Sequence, residues 1–368
     1  CAAEQRRRRK RGTLPKAAAR VVINPEVCEG CGDCSVQSNC IAVEPLETEL
    51  GRKRRINQSA CNSDLSCLKG FCPSFVTVEG GTRRPVLVPL PEAALADLPL
   101  PAAAAADGSH ALLLAGIGGT GVITVSAILA QAAHLDGLAV QVLNQTGLAQ
   151  KNGAVMSHLR LARDPALLDA PRIGAGETDL LLAFDTVVAA QPRALRSIDP
   201  MRSRIVADLH VTPTADFVRN PTAEQKSALP LAQLRRRAGE GRLATIDATG
   251  LALRHFGDAI AANLLLAGHA YQLGLIPVGL QAITAAITLN GGSVEQNLRA
   301  FATGRLSALD PQAFARTPAV PPLTGAALKA MLARRLTDYQ DAAYAARFAA
   351  LVERAEARAA EWHGAAAF

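Results

Sequence analysis

The 368-residue sequence predicts an α/β domain with a mostly parallel sheet, preceded by a small cysteine-rich α+β module and followed by a helical C-terminal segment. Short apolar runs alternate with stretches of helical period after residue 109, as in parallel sheets. Seven of the eight cysteines lie between Cys28 and Cys72. Residues 323–360 hold strong helix formers with apolar side chains three and four apart, which predicts a helical hairpin or one long helix.

Composition divides the chain into five segments. Prolines between Pro85 and Pro101 predict an extended linker without a core of its own. We expect a basic linker (1–20), a cysteine-rich module (21–82), a Pro/Ala-rich linker (83–108), an α/β domain (109–310) and a helical C-terminal segment (311–368).

The net charge of +7 does not favour a nucleic-acid-binding surface. Residues 1–20 hold eight basic residues and one acidic residue, so this arm alone supplies the whole excess. A basic arm can bind phosphates, but a solvated linker or a docking arm is the favoured interpretation. Aromatic residues make up only 4% of the chain, which disfavours a base-stacking platform.

The cysteines are expected to be reduced and to bind metal, because no signal peptide precedes them. We therefore expect a cytoplasmic protein. Glycines interrupt the apolar run 111–135, and polar residues interrupt 259–289, so neither predicts a membrane span. The sequence starts at Cys1 without a methionine, which suggests a piece of a longer protein.

After the short strand Val21–Ile23, the cysteines form two groups. Three thiolates at two-residue spacing can surround one corner of a cubane cluster, and a distant Cys-Pro supplies a ligand to the other cluster in two-cluster ferredoxins. Zinc sites prefer two separated pairs, so iron–sulfur ligation is favoured over zinc. The crossed pattern assigns one cluster to Cys28, Cys31, Cys34 and Cys72, and a second to Cys61, Cys67, Cys40 and Asp64.

Asp64 stands where that pattern would place a cysteine. The second site could therefore hold a [4Fe–4S] cluster with a carboxylate ligand, a [3Fe–4S] cluster, or nothing, and Asp64 could simply cap its loop. Glycines Gly30 and Gly32 would let backbone amides approach the sulfides. The basic tract 51–55 could dock an acidic carrier, stabilise an anionic cofactor, or form a solvated hairpin tip.

A glycine-rich turn follows the first strand of the α/β domain, Ala111–Ala115, and precedes the predicted helix Val122–Leu135. In such turns the first glycine permits a tight turn, the second lets a ligand approach, and the third lets the helix pack on the strand. Here these glycines are Gly116, Gly118 and Gly121. The acidic residue that an NAD site needs after the second strand is missing, because Asn144 and Gln145 stand there. The candidate ligand-binding glycines are Gly116, Gly118, Gly119 and Gly121.

Further strands are predicted at Leu138–Leu143, Leu180–Phe184, Ser203–Leu209 and Leu243–Asp247, and two helices in 259–289 with a break at Gly274–Pro277. The polar loop 146–157 should reach the same carboxyl edge as the glycines. Its Lys151, Asn152 and Ser157 could contact an anion or a polar substrate, or the loop could satisfy only its own backbone. The position of His158 on a likely strand favours a structural role for this side chain. No catalytic nucleophile is evident, so the catalytic residues stay unknown.

The whole chain resembles indolepyruvate ferredoxin oxidoreductases, specifically the C-terminal part of their long single-chain bacterial form. The resemblance is carried by "CAAEQRRRRKRG", "VCEGCGDCSVQSNC", "INQSACNSDLSCLKGFCPSFVTVEGG", "GIGGTGVITVSAILAQAAHLDG", "NQTGLAQKNGAVMSHLRL", "NLLLAGHAYQLGLIP" and "LTDYQDAAYAARFAALVERAEA". It implies oxidative decarboxylation of aryl 2-oxoacids, with CoA and ferredoxin, to acyl-CoA, CO2 and reduced ferredoxin. It also implies Mg-bound thiamine diphosphate on domains N-terminal to Cys1, and a homo-oligomeric enzyme.

By this resemblance, residues 21–82 form a ferredoxin-like iron–sulfur module and the electron exit, and 109–310 form a gamma-type domain over the thiamine sites. Two alternatives remain. One is the gamma or electron-transfer subunit of another 2-oxoacid:ferredoxin oxidoreductase. The other is a zinc-stabilised nucleic-acid binder with a basic arm.

Overall fold

A computed structural model describes most of the chain, in two compact units. One unit comprises residues 1–46 and 52–315, and the other comprises 47–51 and 316–368. The described residues are 4–5, 8–9, 12–15, 17–40, 42–81, 87–102, 108–147, 153–213, 217, 219–220, 228–314 and 325–360.

The cysteine-rich module is built on two short two-stranded sheets. Its elements are β1 (Ala19–Ile23), helix α1 (Asp33–Ser38), β2 (Val43–Thr48), β3 (Gly51–Ile56), a 3-10 turn (Ser66–Lys69) and β4 (Phe75–Glu79). Strand β1 pairs antiparallel with β4, with Ile23 opposite Phe75, so the beginning and the end of the module are joined. Strand β2 pairs with β3 across a tight hairpin.

The segment between the cysteine module and the α/β domain is more ordered than its proline content predicts. It contains helix α2 (Glu92–Ala96), and Leu90, Leu95 and Leu98 pack against the core of the α/β domain. The Val88 amide donates to the Arg254 carbonyl at 3.0 Å. The expectation of an extended linker without a core was therefore wrong for residues 87–102, because three spaced leucines bury against a neighbouring surface.

The α/β domain contains the expected sheet. Its strands are β5 (Ser109–Ile117), β6 (Ala139–Thr146), β7 (Ala154–Ala162), β8 (Leu180–Ala183), β9 (Arg204–Asp208) and β10 (Leu243–Ile246). Their order is β10-β9-β8-β5-β7-β6. The β10–β9, β9–β8 and β8–β5 pairs are parallel, so the prediction of a mostly parallel sheet is confirmed.

Strand β7 is the exception, because it runs antiparallel to both of its neighbours. The connection from Thr146 to Ala154 is too short for a helical crossover, which needs a dozen or more residues. The chain therefore reverses at the carboxyl end of β6 and returns between β6 and β5. This reversal leaves β6 at the edge of the sheet.

Helices cover both faces of this sheet. They are α3 (Val122–Leu135), α4 (Thr186–Ala189), α5 (Pro192–Arg196), α6 (Ala228–Ala238), α7 (Ala248–Phe256), α8 (Ala262–Gln272), α9 (Leu280–Asn290) and α10 (Val294–Leu309). One face packs on α3 and α7–α10, and the other packs on α4–α6. Alternate residues of β5 point to the two cores, with Leu112 and Leu114 on one side and Leu113 on the other.

The second unit contains the helical hairpin expected at the C-terminal end. Helix α11 (Gly325–Tyr339) and helix α12 (Ala342–Ala360) are joined by a two-residue connection. Lys329 of α11 forms an ion pair with Glu356 of α12. Among the described residues, no helix is both long and apolar enough to cross a membrane.

Helices α8 and α10 approach so closely that two glycines are required. A Cβ atom on Gly304 would lie 1.9 Å from the Leu265 carbonyl oxygen, and one on Gly268 would lie 2.0 Å from the Phe301 carbonyl oxygen. Both obstacles are backbone atoms, which cannot rotate away. The pair of glycines therefore sets the distance between the two helices.

We predict that Gly304→Ala lowers the free energy of unfolding by about 2–3 kcal/mol, because overpacking exceeds the gain in helix propensity. Urea unfolding followed by far-UV circular dichroism measures it. The control is Gly292→Ala, whose Cβ would lie 3.6 Å from its nearest neighbour, the Asn290 side-chain nitrogen. The control should stay within about 0.5 kcal/mol of the wild type. Equal stabilities for the two variants would contradict the packing described for α8 and α10.

Candidate functional site

The first cysteine group lies on a turn that follows β1. The Cys28 amide donates to the Asn24 carbonyl at 3.0 Å, and the Asn24 amide donates to the Ser74 carbonyl at 2.8 Å. This second hydrogen bond brings the Cys72–Ser74 segment beside the turn that carries Cys28. The assignment of Cys72 to the first cluster stays a prediction.

The second cysteine group repeats this construction after β3. The Cys61 amide donates to the Asn57 carbonyl at 2.9 Å, and the Asn57 amide donates to the Ala42 carbonyl at 2.7 Å. Ala42 lies two residues after Cys40. The second turn is therefore held beside the segment that carries Cys40.

The two loops also share their backbone conformation. Gly30 has φ +75° and Gly32 has φ +85°, and the equivalent residues Ser63 and Leu65 have φ 54° and 56°. The Gly30 amide points at the Cys28 sulfur, 3.4 Å away, and the Ser63 amide points at the Cys61 sulfur, 3.3 Å away. Each loop therefore presents a backbone N–H to its first sulfur.

The electrostatics separate the cysteines into the same two groups. Burial raises the pKa of Cys34 to about 11, with Arg54 opposing the rise and Cys28 and Cys31 adding to it. Burial likewise raises the pKa of Cys67 to about 11, and the charges of Cys61, Cys40 and Asp64 add to the rise. The electrostatic influences on these pKa values thus link two sets of thiols, which are Cys28, Cys31 and Cys34 in one set and Cys40, Cys61 and Cys67 in the other.

Asp64 caps its own loop. Its Oδ1 accepts hydrogen bonds from the Ser66 amide at 3.2 Å and from the Ser66 hydroxyl at 2.8 Å. Asp64 is exposed, as is Cys31, which holds the equivalent place in the first loop. The side chain thus shows the capping contact, and its role as a ligand stays a prediction.

The two loops have one feature that an iron–sulfur cluster would use. Among the described residues, no group of three or more Cys, His, Asp or Glu side chains is placed to hold one metal ion. Backbone amides directed at thiol sulfurs, as at Cys28 and Cys61, are the hydrogen bonds that tune such clusters.

The basic tract between the two groups lies in strand β3, and successive side chains of this strand have different environments. Arg55 forms an ion pair with Glu44 at 3.2 Å. Arg54 is only 1% exposed, and its guanidinium carbon lies 4.8 Å from the centre of the Phe217 ring. The tract is therefore not a uniformly solvated hairpin tip.

The glycine-rich turn lies at the carboxyl edge of the sheet. Most of its glycines make packing contacts or hydrogen bonds within the protein rather than leaving space for a ligand. A Cβ on Gly116 would lie 2.7 Å from a Val122 methyl, so Gly116 lets α3 pack on β5. The Gly118 amide donates to the Gly153 carbonyl at 2.8 Å, so the neighbouring loop stands where a ligand was expected. Gly121 has φ +107° and begins α3, and only Gly119 faces open space.

The loop after β6 reaches this same edge, since Thr146 pairs with Val155 and Ile117 pairs with Ala154. Ser157 is fully buried, and its hydroxyl bonds to the Ser126 hydroxyl and to the side-chain Oδ1 of Asn144, both at 2.6 Å. Its hydrogen bonds are therefore made within the protein. Lys151 and Asn152 lie outside the described residues.

Two buried carboxyl groups at the carboxyl ends of β8 and β9 were not predicted from the sequence. The Asp185 carboxylate accepts from the Val188 amide at 2.9 Å, and burial raises its pKa. Burial raises the pKa of Asp208 to about 6, while the hydrogen bond from Thr249 opposes the rise. Asp185 lies two residues after β8 and Asp208 is the last residue of β9, and this position at the end of an apolar strand is the sequence signal that would have identified them.

His158 lies in β7 and is 4% exposed. Its Nδ1 accepts a hydrogen bond from the Ile173 amide at 3.2 Å. Burial lowers its pKa to about 4, and Arg172, Arg193 and Arg160 lower it further. The imidazole is therefore neutral at neutral pH.

Residues 111–307 match the family model "Pyruvate ferredoxin/flavodoxin oxidoreductase", and this range covers the sheet and its helices. The chain belongs to this pyruvate ferredoxin/flavodoxin oxidoreductase family. The cysteine module lies outside the matched range. The family membership thus rests on the α/β domain and its glycine-rich edge.

Curated relatives within this family point to 2-oxoacid:ferredoxin oxidoreductases. The chain is 26% identical over 200 residues to "Indolepyruvate oxidoreductase subunit IorB" of Methanothermobacter thermautotrophicus, which covers 53% of this chain and 96% of that protein. It is 25% identical over 196 residues to the same subunit of Pyrococcus horikoshii, covering 52% and 93%. It is 28% identical over 187 residues to "Pyruvate/ketoisovalerate oxidoreductases common subunit gamma" of Thermococcus kodakarensis, covering 50% and 89%.

Among solved structures, the chain is similar to pyruvate oxidoreductase subunit PORC of Thermotoga maritima. The identity is 20%, the TM-score is 0.39, and the match covers 54% of this chain and 96% of that one.

We predict that Gly30→Ala abolishes iron binding at the first cysteine group after anaerobic reconstitution, so that about half of the iron is lost. A Cβ at Gly30 would lie 2.1 Å from the Arg52 carbonyl oxygen and would push the loop away from β3. The matched control is Gly51→Ala, because Gly51 also has positive φ (+86°) but no atom within 4 Å of its Cβ position. Equal iron contents in the two variants would contradict the prediction.

We also predict that His158 makes stability depend on pH. Its pKa is lower in the folded chain than in the unfolded chain, so the stability it contributes is complete above about pH 6.5 and falls toward pH 4. Between pH 7.5 and pH 5 the loss should be about 2 kcal/mol. Urea unfolding of the wild type and of His158→Gln at both pH values measures it. The wild type should lose more stability than the variant; parallel losses would show that other groups cause the dependence.

Proposed function

We propose that this chain is the electron-transferring and gamma-type part of an indolepyruvate:ferredoxin oxidoreductase. The observation that supports it most is the combination of a family α/β domain and a duplicated cysteine module in one compact unit. The similarity to indolepyruvate oxidoreductase subunits favours an aryl 2-oxoacid as the substrate of the complete enzyme.

Two iron–sulfur clusters are proposed as the cofactors of this chain. The first would be held by Cys28, Cys31, Cys34 and Cys72, and the second by Cys40, Cys61, Cys67 and Asp64. Such clusters accept and release single electrons. The half-buried thiols and the amides of Gly30 and Ser63 would hold each cluster and stabilise its negative charge.

The complete enzyme is proposed to use thiamine diphosphate with Mg, and CoA, on domains beyond this chain. Thiamine diphosphate acts as an electron sink in decarboxylation, which yields the electrons for the clusters. In this chain, the carboxyl edge of the sheet would face those domains through Gly119, Lys151 and Asn152. Gly116, Gly118 and Gly121 would support that edge by packing, and Ser157 by its internal hydrogen bonds.

A second candidate is the gamma subunit of a pyruvate or branched-chain 2-oxoacid oxidoreductase. The 28% identity to the pyruvate/ketoisovalerate gamma subunit favours it. An assay of the assembled enzyme with indolepyruvate, pyruvate and 2-oxoisovalerate would distinguish the two. The larger kcat/KM identifies the function, because both candidates share the electron path.

The first experiment is a metal analysis of the anaerobically reconstituted chain, together with low-temperature EPR. We expect about eight irons and two interacting reduced clusters if Asp64 is a ligand. About seven irons with an oxidised three-iron signal would exclude Asp64 as a ligand. Zinc in place of iron, or no iron at all, would contradict the proposed function.

The crossed ligand assignment predicts which cluster each cysteine supports. Cys72→Ser should remove the cluster of the first group, and Cys67→Ser the cluster of the second, so each variant loses about half of the iron and a different EPR signal. Cys1→Ser is the control, since Cys1 belongs to neither group, and it should keep the full iron content. Loss of the same signal in both variants would contradict the assignment.

A further inference from the structure

Arg54 is a buried cation beside the first cysteine group. Its guanidinium is stacked on Phe217, which is itself 1% exposed. The charge of Arg54 acts on the thiols of Cys34, Cys28 and Cys31. A cluster with four thiolate ligands carries net negative charge, so it would interact favourably with this cation.

The neighbouring residue Arg55 points the other way. Successive side chains of a strand alternate between its two faces. The Arg55 guanidinium donates to the Glu44 carboxylate, and 51% of its side chain is exposed. Two adjacent arginines thus have different environments, and of the two only Arg54 is buried.

In the duplicated module, an apolar residue stands at the position that corresponds to Arg54. Among the described residues, a cation that contacts the second cysteine loop comes instead from the N-terminal segment, where Arg9 donates to the Asn62 carbonyl at 3.0 Å. Ile23-Asn24 precedes Cys28 by the same spacing as Ile56-Asn57 precedes Cys61, so Arg54 of β3 corresponds to Val21 of β1. Val21 is also buried, with 2% exposure, and its carbonyl accepts a hydrogen bond from the Gln58 side chain at 2.6 Å, in the second loop. A buried apolar residue thus stands beside the second group where a buried cation stands beside the first.

We propose that Arg54, as a buried cation, raises the reduction potential of the cluster held by Cys28, Cys31, Cys34 and Cys72. This inference rests on the proposed function, because it requires that the clusters form. Reduction adds one electron and one negative charge to a cluster, with no bond made or broken. A fixed positive charge in a partly buried site stabilises the reduced form more than the oxidised form. Val21 provides no such stabilisation to the second cluster.

The test is an EPR-monitored redox titration of the reconstituted 368-residue chain and its variants. Arg54→Val copies Val21, the corresponding residue of β1. Arg54→Gln removes the charge but keeps a polar side chain, and Arg54→Lys keeps the charge. Arg55→Gln is the matched control, because it removes a charge from the same strand on its exposed face. Iron and sulfide are counted in every sample.

For Arg54→Gln and Arg54→Val we expect the reduction equilibrium of one cluster to weaken about tenfold, a shift of about 59 mV for one electron. The other cluster should shift less, and both Arg54→Lys and Arg55→Gln should stay near the wild type. The inference is overturned if Arg54→Gln leaves both potentials unchanged, or if Arg54→Lys shifts as far as Arg54→Gln.

Loss of the cluster in the variants is also decisive. If the neutral variants lose the iron of the first group and Arg54→Lys retains it, the positive charge holds the thiolates and the inference stands. If Arg54→Lys loses it too, Arg54 acts by packing and the inference is overturned. A wild-type chain that binds no iron would instead contradict the proposed function, so the two failures are distinguishable.

Discussion

The α/β domain depends on the burial of the central strand β5. Its Leu112, Leu113 and Leu114 are at most 1% exposed and alternate between two cores, so helices must cover both faces of the sheet. Burial of each such side chain stabilises the fold by about 1.5–3 kcal/mol. The parallel neighbour β8 and the antiparallel neighbour β7 satisfy the two edges of β5. The carboxyl end of this strand is where the glycine-rich edge begins.

The cysteine module has a different physical basis, because it has very little apolar core. Among its described residues the buried apolar side chains are Val21, Ile23, Cys28, Ala42 and Val43. With so few buried apolar side chains, the module gains little stability from the hydrophobic effect. Ligand binding that occurs only in the folded state adds its free energy to folding. We therefore expect the module to be stabilised by its clusters and by its packing against the α/β domain, where the Ala259 amide donates to the Ser59 hydroxyl at 3.4 Å.

The sequence was informative where local patterns decide the structure. Helix Val122–Leu135 was predicted with its exact bounds, and the glycine turn and the helical hairpin were found where expected. The direction of β7 and the ordered segment 87–102 depend on contacts distant in sequence, which no local pattern reports. The burial of Arg54 also depends on contacts distant in sequence. A run of basic residues indicates a solvated surface, and only the pairing of β3 and the position of Phe217 show that one of them is buried.

The backbone of the second cysteine loop indicates what determines its shape. Ser63 and Leu65 adopt left-handed φ values that cost non-glycine residues about 1–3 kcal/mol each, although glycine occupies the equivalent positions of the first loop. Burial does not enforce this conformation, since Leu65 is 37% exposed. The left-handed conformation does, however, keep the Ser63 amide directed at the Cys61 sulfur. The loop thus keeps a conformation with a local cost that directs an amide at a sulfur, which is the arrangement that the proposed cluster would use.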